Sequence, residues 1–205
     1  MAAKMIITIV IGYLLGSIST GVVLSKLVTK QDIRTQGSGN AGTTNMLRVL
    51  GRKMALFTFI GDMLKGIIAV FIGKLLVGGA VGGVLGVLGA VIGHSFPVFF
   101  GFKGGKGIAT SFGSLLFVFP LQAIAAFTLF LVIVYFSHYV SLGSIAAAIA
   151  LPLFVLLTTP FDPIVWGSMV FLGALVVIRH HQNINRLIHH KENKLDFNTL
   201  KKKKS

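Results

Sequence analysis

A polar, glycine-rich segment at residues 37–48, GSGNAGTTNMLR, lies between two apolar runs. Its glycines let backbone N–H groups converge on an anion, because no Cβ stands in the way. Arg48 adds a permanent cation with a planar fork of donors, and neutral hydrogen-bonding side chains come from Ser38, Asn40, Thr43, Thr44 and Asn45. Such polarity is rare between lipid-facing runs. The segment therefore predicts an anion site, with a phosphate as the natural ligand.

A second polar segment, residues 93–110, reads GHSFPVFFGFKGGKGIAT. Lys106 stands just before the next apolar run and is surrounded by Gly104, Gly105 and Gly107. Backbone donors, a lysine and the N-terminus of a helix together favour a phosphate dianion. The spacing of a Walker A loop is absent, so the segment predicts a phosphate site of another kind.

The third polar segment, residues 179–193, reads RHHQNINRLIHHKEN. On a helix, steps of three place His180, Asn183 and, less closely, Arg186 near one face. The four histidines could indicate a metal, but two of them are adjacent in a lysine-rich tail, and no acid is placed to complete a cluster. We therefore expect no metal site.

Polar residues near or within the apolar runs leave two questions open. His94, near the end of its run, is either a structural hydrogen-bonding residue or a catalyst. Asp62 and Lys65 stand three residues apart inside an apolar run. Because intramembrane charges are costly, this pair is either a structural ion pair or support for an active site.

The composition indicates an integral membrane protein. The chain has 205 residues, of which 54% are hydrophobic and only 12% charged, and its mean hydropathy is +0.87. Lys and Arg number 19 against 5 acids. These charges flank the apolar runs, so retention of basic loops in the cytoplasm and contact with anionic lipids explain them better than nucleic-acid binding. The absence of cysteine excludes disulfides and thiol catalysis.

Six apolar runs are long enough to consider as membrane spans, at about 5–28, 54–77, 80–100, 107–136, 140–159 and 162–180. Basic loops at 29–53 and 101–106, and the basic tail from Arg179, are all expected in the cytoplasm. Six single crossings cannot satisfy this expectation, because three crossings would separate the second loop from the tail.

The fourth run resolves the conflict. It exceeds the ~20 residues that a bilayer core needs, and Pro120 interrupts it. Dividing it into a short helix at 107–118 and a longer one at 121–137 gives seven transmembrane helices, with the N-terminus outside and the C-terminus in the cytoplasm. Five spans satisfy the same rule, but we prefer seven. The predicted fold is an all-α membrane bundle, with one membrane-embedded domain at 1–187 and a basic cytoplasmic tail at 188–205.

Glycines recur at steps of three and four in residues 78–93, GGAVGGVLGVLGAVIG. This spacing lets helix backbones approach closely. We expect tight helix packing there rather than ligand binding.

In this order, GSGNAGTTN with its following arginine, GHSFPVFFGFKGGKGIAT and RHxxNINRL closely resemble the three motifs of the PlsY family. The similarity extends from GYLLGSIS in the first run to about Leu187. The resemblance implies a seven-helix enzyme of the bacterial cell membrane with its active site on the cytoplasmic side. Its members transfer a fatty acyl group from acyl phosphate to the 1-hydroxyl of glycerol 3-phosphate. The products are lysophosphatidic acid and inorganic phosphate, in the first acylation step of bacterial phospholipid synthesis.

The resemblance also assigns roles by motif position. It implies catalytic roles for His180, Asn183 and His94, glycerol 3-phosphate binding by Ser38, Arg48, Lys106 and Asn45, and acyl-phosphate binding by Gly104, Gly105 and Gly107. No metal, cofactor, nucleic acid or obligate protein partner is expected, and membrane lipids surround the protein. One departure is Gln182, where many relatives carry Glu, so an essential carboxylate role at this position does not carry over.

The chemistry of an acyl phosphate fits these residues, because a mixed anhydride is already activated. Holding two anionic substrates together and stabilising charge are then the main tasks. The proton acceptor stays open among His180, His94 and a phosphate oxygen of the substrate. We favour a mechanism without an indispensable protein base. Ser38 lacks an Asp–His relay and is less favoured as a nucleophile. The alternatives are a transporter or channel for a phosphorylated solute and a structural membrane subunit.

Overall fold

A computed structural model describes residues 1–195, and this part of the chain contains helices but no β strand. Its α helices are α1 Ala2–Gly16, α2 Thr20–Thr29, α3 Thr43–Leu76, α4 Gly79–Ser95, α5 Ile108–Leu115, α6 Pro120–Ser137, α7 Val140–Thr158, α8 Pro163–Arg179 and α9 His181–Ile188. The predicted all-α class is confirmed for these residues. Lys201–Lys204 of the predicted basic tail lie outside the described residues.

The first apolar run, predicted as one membrane span at about 5–28, contains two helices, although Ala2–Thr29 still counts as one candidate span by length and hydropathy. Helix α1 ends at Gly16 and α2 begins at Thr20. The break frees the carbonyl of Ile18, which accepts a hydrogen bond from Nζ of Lys65 at 2.9 Å. A buried cation therefore satisfies a backbone group that a continuous helix would have paired internally.

The long polar loop predicted at 29–53 is shorter in the structure. Helix α3 begins at Thr43, and Gly51, with φ 81°, interrupts its regular geometry. Positive φ is readily adopted by glycine alone. Arg48 therefore lies on a short helical piece before this kink rather than in a loop, which corrects the prediction.

Helix α4 is the centre of the bundle and packs against α1 and α3. A Cβ added at Gly93 would overlap the carbonyl oxygen of Tyr13 in α1. One added at Gly86 would overlap that of Ala69 in α3. The close helix packing predicted for residues 78–93 is confirmed, and at Gly93 it holds the end of α4 against α1 next to the second polar segment.

The fourth apolar run divides at the position predicted from Pro120, which is the first residue of α6. Helix α5 has eight residues, about 12 Å at 1.5 Å per residue. By length and hydropathy, five helical segments of the described chain can cross a membrane, or six if α8 and α9, bent by 56°, are counted together.

Candidate active site

A polar cavity of about 180 Å³ lies where the start of α3, the start of α5, the start of α7 and the end of α8 meet. Its lining draws on all three polar segments. The residues predicted for the site that line it are Ser38, Asn45, Arg48, His94, Lys106, Gly107, His180 and Asn183. The fold thus brings together groups that are up to 145 positions apart in the chain, from Ser38 to Asn183.

Asn45 organises the first segment from within. Its Oδ1 accepts a hydrogen bond from the backbone N–H of Ser38 at 2.8 Å. Its Nδ2 donates to the carbonyl oxygens of Ile33, Gln36 and Asn40, at 3.2, 3.0 and 2.8 Å. The side chain is 2% exposed and its donors are committed to the loop. Asn45 therefore shapes the loop that presents Ser38 to the cavity.

The N-terminus of α3 adds polar groups to which the sequence analysis gave no specific role. Thr43 and Thr44 line the cavity beside Arg48. Oγ1 of Thr43 is buried and has no hydrogen-bond partner among the described residues. Thr44 and Arg48, four positions apart, lie on one face of the helix. Free N–H groups at a helix start, a buried hydroxyl and a guanidinium together favour an anion.

Lys106 joins the second segment to the third. Its Nζ donates to Oδ1 of Asn183 at 2.5 Å. Burial lowers the pKa of Lys106 to about 8, although the nearby Glu192 carboxylate opposes this shift. The ammonium form therefore predominates at neutral pH, close to the pH at which the proton is lost.

The glycines before Lys106 hold the loop in place. Arg179 donates from Nε to the carbonyl of Gly105 at 3.2 Å and from Nη2 to that of Gly104 at 3.1 Å. A Cβ at Gly105 would overlap the ring of His94. Of the three glycines predicted to bind acyl phosphate, Gly107 alone lines the polar cavity. The other two fix the backbone against Arg179 and His94.

A buried ion-pair network packs against the glycine loop before Lys106 through the ring of His94. Nζ of Lys65 lies 2.8 Å from Oδ1 of Asp62 and 2.9 Å from Nδ1 of His94. Because an ammonium group can only donate, Nδ1 of His94 accepts, and the proton of the neutral ring is on Nε2. Asp62 also lines the cavity. The pair is both a structural bridge and a support for the site.

His180 lies at the junction of α8 and α9 and is 2% exposed. Its Nδ1 lies 2.7 Å from the carbonyl oxygen of Val176. A carbonyl can only accept, so Nδ1 carries the proton and Nε2 of the neutral ring is left as an acceptor. His180 and His94 thus hold opposite tautomers.

Glu192 is the site residue that the sequence analysis missed. Its Oε1 accepts hydrogen bonds from Nδ2 of Asn183 at 2.7 Å and Oγ of Ser141 at 2.9 Å, and its Oε2 from Nε of Arg186 at 2.7 Å. Burial alone would raise the pKa of Glu192, but these hydrogen bonds outweigh it and lower the pKa. The site therefore extends past the expected domain end at Leu187. The one sequence feature that could have pointed to Glu192 is that it is an isolated carboxylate among basic residues.

An apolar cavity of about 120 Å³ adjoins the polar one between α5, α6, α7 and α8. The two cavities share Phe59, Ile108, Phe130 and Ser144 in their linings. Phe112 and Phe127 stack in its wall, with ring centroids 4.4 Å apart. A cationic pocket that opens onto an apolar one suits a ligand with a charged head and a hydrocarbon chain. Within residues 1–195, no three acidic or histidine side chains are grouped to hold a metal.

Comparisons with known proteins agree with this arrangement. Residues 6–190 match the family model of glycerol-3-phosphate acyltransferases. The chain is 46% identical to the glycerol-3-phosphate acyltransferase of Syntrophotalea carbinolica over 92% of this chain and 96% of that protein. It is also 46% identical to that of Finegoldia magna, over 95% and 98%.

Two crystal structures of PlsY (YgiH), an integral membrane glycerol 3-phosphate acyltransferase, share the fold. The glycerol 3-phosphate form has a TM-score of 0.90 and 38% identity, over 97% of this chain and 99% of that one. The lysophosphatidic acid form has a TM-score of 0.84 and 39% identity, over 94% and 95%. The family model, the two relatives and the two crystal structures together show that the chain belongs to the PlsY family of integral membrane glycerol-3-phosphate acyltransferases.

Proposed function

We propose that this protein transfers a fatty acyl group from acyl phosphate to the 1-hydroxyl of glycerol 3-phosphate, giving lysophosphatidic acid and inorganic phosphate. The observation that carries the proposal is the cationic cavity adjoining the apolar one. One can hold phosphates and the other a hydrocarbon chain. The solved relatives in glycerol 3-phosphate and lysophosphatidic acid forms support the same acceptor and product.

Ser38, Arg48 and Lys106 are the proposed ligands of the glycerol 3-phosphate phosphate. All three line the polar cavity, and the two cations offset the charge of a dianion. Asn183, hydrogen-bonded to Lys106 and Glu192, is the proposed group that orients a glycerol hydroxyl. His180 offers Nε2 as an acceptor for the same purpose.

The acyl phosphate occupies the other half of the site. Its hydrocarbon chain lies in the apolar cavity, and its phosphate lies near Gly107 and the start of α5. The N–H groups of a helix start stabilise negative charge on the departing phosphate and on the carbonyl oxygen of the tetrahedral intermediate. The buried hydroxyl of Thr43 is a further donor for either anion.

The reaction requires the hydroxyl oxygen of glycerol 3-phosphate to attack the carbonyl carbon of the acyl phosphate. The bond between that carbon and the bridging oxygen then breaks. The hydroxyl proton passes to a phosphate oxygen of the acyl phosphate, which leaves as hydrogen phosphate. Positioning two bound reactants can supply roughly 7–11 kcal/mol of the barrier. No protein base is indispensable in this scheme, and the Nε2–H tautomer of His94 makes it a donor.

His180→Ala tests this part of the proposal. Loss of one orienting acceptor lowers kcat by about 10²-fold or less, because the substrate still accepts the proton. Single-turnover rates and equilibrium binding of glycerol 3-phosphate, measured together, separate chemistry from affinity. A loss of several orders of magnitude in the chemical step with unchanged binding would show that His180 is the base.

The proposal includes seven membrane crossings with the N-terminus outside, because this topology assigns the helix ends around the site to one face of the membrane. The segments before α3, between α4 and α5 and after α8 contribute to the site, as does the start of α7. At the other end of the bundle, Lys74 contacts the carbonyl of Phe117 and Gln122 contacts Thr158. In this topology α5 is a short crossing buried by its neighbours. The basic segments around the site then face the cytoplasm of a bacterial cell.

Purified protein in detergent, supplied with glycerol 3-phosphate and palmitoyl phosphate, is the direct test. We expect lysophosphatidic acid and inorganic phosphate in equal amounts, and no product when palmitoyl coenzyme A replaces palmitoyl phosphate. Arg48→Gln should abolish the reaction at low glycerol 3-phosphate. Product from the thioester alone would contradict the proposed donor. Uptake of phosphorylated solutes by sealed vesicles, without product in detergent, would identify a transporter.

A further inference from the structure

A second recess, called the vestibule here, adjoins the polar cavity. It has a volume of about 470 Å³ and is formed by residues 32–40, residues 102–106 and the start of α9. Ser38, Asn40 and Lys106 line both the vestibule and the polar cavity. The vestibule is therefore larger than the cavity and shares a wall with it.

The vestibule carries a strong excess of positive charge. Its cationic lining residues are Arg34, Lys103, Lys106, Arg179 and Arg186, and its single carboxylate is Asp32. The Arg34 side chain pairs with both oxygens of Asp32, at 3.0 and 2.8 Å, and lowers the pKa of Asp32 to about 2. Within residues 1–195, no carboxylate lies within ion-pair distance of Lys103, Lys106 or Arg179. These three cations therefore have no ion-pair partner among the described residues.

Hydrogen bonds to the backbone hold the vestibule in shape. Nη1 of Arg34 donates to the carbonyls of Phe100 and Lys103 at 2.7 and 2.8 Å. Arg179 donates to the carbonyls of Gly104 and Gly105, and its guanidinium lies 5.1 Å from the centroid of the Phe96 ring. The positive charge is thus fixed around a recess and does not reside only on freely moving surface side chains.

The two cavities next to the polar site have opposite characters. The apolar cavity is lined by α5, α6, α7 and α8, and the last three of these helices also present large hydrophobic side chains to the surroundings. The vestibule is lined by polar loops and α9. A small dianion is strongly attracted by a concave cationic surface, which raises its local concentration and its rate of encounter.

We propose that the vestibule is the route by which glycerol 3-phosphate enters from water, separate from the apolar side that admits the acyl chain. This inference rests on the proposed function. It assigns a role to Lys103 and Gln182, two exposed lining residues that do not line the polar cavity. Lys103 attracts the dianion, and the neutral side chain of Gln182 preserves the positive potential where a carboxylate would reduce it.

The test uses Gln182→Glu, which is nearly isosteric and adds one negative charge, and Lys103→Glu, which reverses a charge. At low ionic strength we expect the KM for glycerol 3-phosphate to rise about threefold and about tenfold, respectively. The kcat and the KM for palmitoyl phosphate stay unchanged, because neither residue touches the reacting groups. Added salt reduces both effects, since the Debye length falls to about 8 Å at physiological ionic strength.

Gln122→Glu is the matched control. Gln122 lies near the start of α6, hydrogen-bonded to Thr158 at the other end of the bundle, and its substitution should leave both KM values unchanged. Lys103→Arg keeps the charge and should retain the wild-type KM. An unchanged kcat in each variant also shows that the bundle is folded.

The assay is run in an uncharged detergent without lipid and, separately, in vesicles of anionic lipid. A salt-dependent rise in the KM for glycerol 3-phosphate alone supports the vestibule route. The vestibule route is overturned if Gln182→Glu and Lys103→Glu are active and their KM values for glycerol 3-phosphate are unchanged at low ionic strength. It is also overturned if kcat falls by as large a factor as KM rises. An effect confined to vesicles of anionic lipid also overturns it, because the charges would then bind headgroups. A wild-type protein with no activity would instead contradict the proposed function.

Discussion

Lys106 connects the chemistry of two motifs through one hydrogen bond. Its ammonium group lies in the polar cavity and donates to Asn183, which Glu192 holds from the other side. The cation can thus neutralise a phosphate while its neighbour orients a hydroxyl. Because burial brings the pKa of Lys106 down to about 8, the charge on this residue depends on pH within an accessible range.

The first prediction concerns this dependence on pH. Phosphate binding needs the ammonium form, so kcat/KM for glycerol 3-phosphate should be constant below the pKa of Lys106 and fall as pH rises through about 8. Lys106→Arg removes that inflexion, since a guanidinium stays charged, although its different geometry lowers the activity. The pH profiles of the two proteins provide the measurement. An inflexion that persists in Lys106→Arg would assign it to another group.

A second prediction concerns Glu192. Glu192→Gln keeps one oxygen as an acceptor but weakens the charge-assisted bond to Arg186, and it should raise the KM for glycerol 3-phosphate about tenfold. Glu192→Ala leaves the amide of Asn183 and the guanidinium of Arg186 without this partner, and it should lower both activity and thermal stability further. Thermal unfolding in detergent and steady-state kinetics test the order. If Glu192→Ala and the wild type had the same melting temperature and the same KM and kcat, the carboxylate would not position Asn183.

At the scale of elements, α4 sets how closely the helices around the site approach one another. Gly93 lies against the backbone of α1 at Tyr13. The next residue of α4 is His94, which contacts Lys65 in the buried ion-pair network. Any widening of this contact also moves His94 and the loop that packs on it. Packing and site geometry are therefore coupled through the same helix.

Gly93→Ala should destabilise the protein by about 1–3 kcal/mol, because the added methyl group meets backbone that cannot rotate away. Gly167→Ala in α8 is the matched control, since a Cβ there has no neighbour within 4 Å. This control should leave stability unchanged or raise it slightly. Melting temperatures of the two variants in one detergent give the comparison. Equal melting temperatures would mean that α4 and α1 are not packed as described.

Helix α6 offers another pair of substitutions, at the apolar cavity. Ala126 is buried and lines this cavity, whereas its neighbour Ala125 is exposed. Ala126→Phe should shift the preference from palmitoyl phosphate towards shorter acyl phosphates, because the ring fills space that the chain needs. Ala125→Phe should leave the preference unchanged. Relative kcat/KM values for octanoyl and palmitoyl phosphate test it, and identical ratios in the two variants would place the acyl chain elsewhere.

At the scale of the whole molecule, local chemistry in the sequence was enough to identify the three polar segments that supply most of the cavity lining. Lys106 and Asn183 each stand in a motif whose residue types predict a polar site. Their direct bond depends on packing across 77 positions of sequence, which no local pattern contains. The break at Pro120 was predictable because proline cannot continue a helix. The break before Thr20 was not predictable, because it depends on a partner in another helix. The carbonyl of Ile18, which the break frees, accepts a hydrogen bond from Lys65 in α3.

Asn45 and Glu192 show two ways in which residue type alone misleads. Asn45 has the chemistry of a ligand, but its donors serve carbonyls of its own loop. Glu192 stands among basic residues, a pattern typical of a solvated tail, yet the chain folds back and buries its carboxylate against Ser141 and Asn183. In both cases the partners, and not the side chain itself, decide the role.

In the proposed reaction, the acyl group passes directly between two phosphorylated substrates held in adjoining cavities. Palmitoyl phosphate with a heavy-oxygen label in its bridging atom provides the test. We expect the label to leave entirely in inorganic phosphate, with one lysophosphatidic acid formed for each phosphate released, because the bond from the carbonyl carbon to the bridging oxygen is the one that breaks. Label retained in palmitate, with a phosphate group transferred to glycerol 3-phosphate, would contradict it.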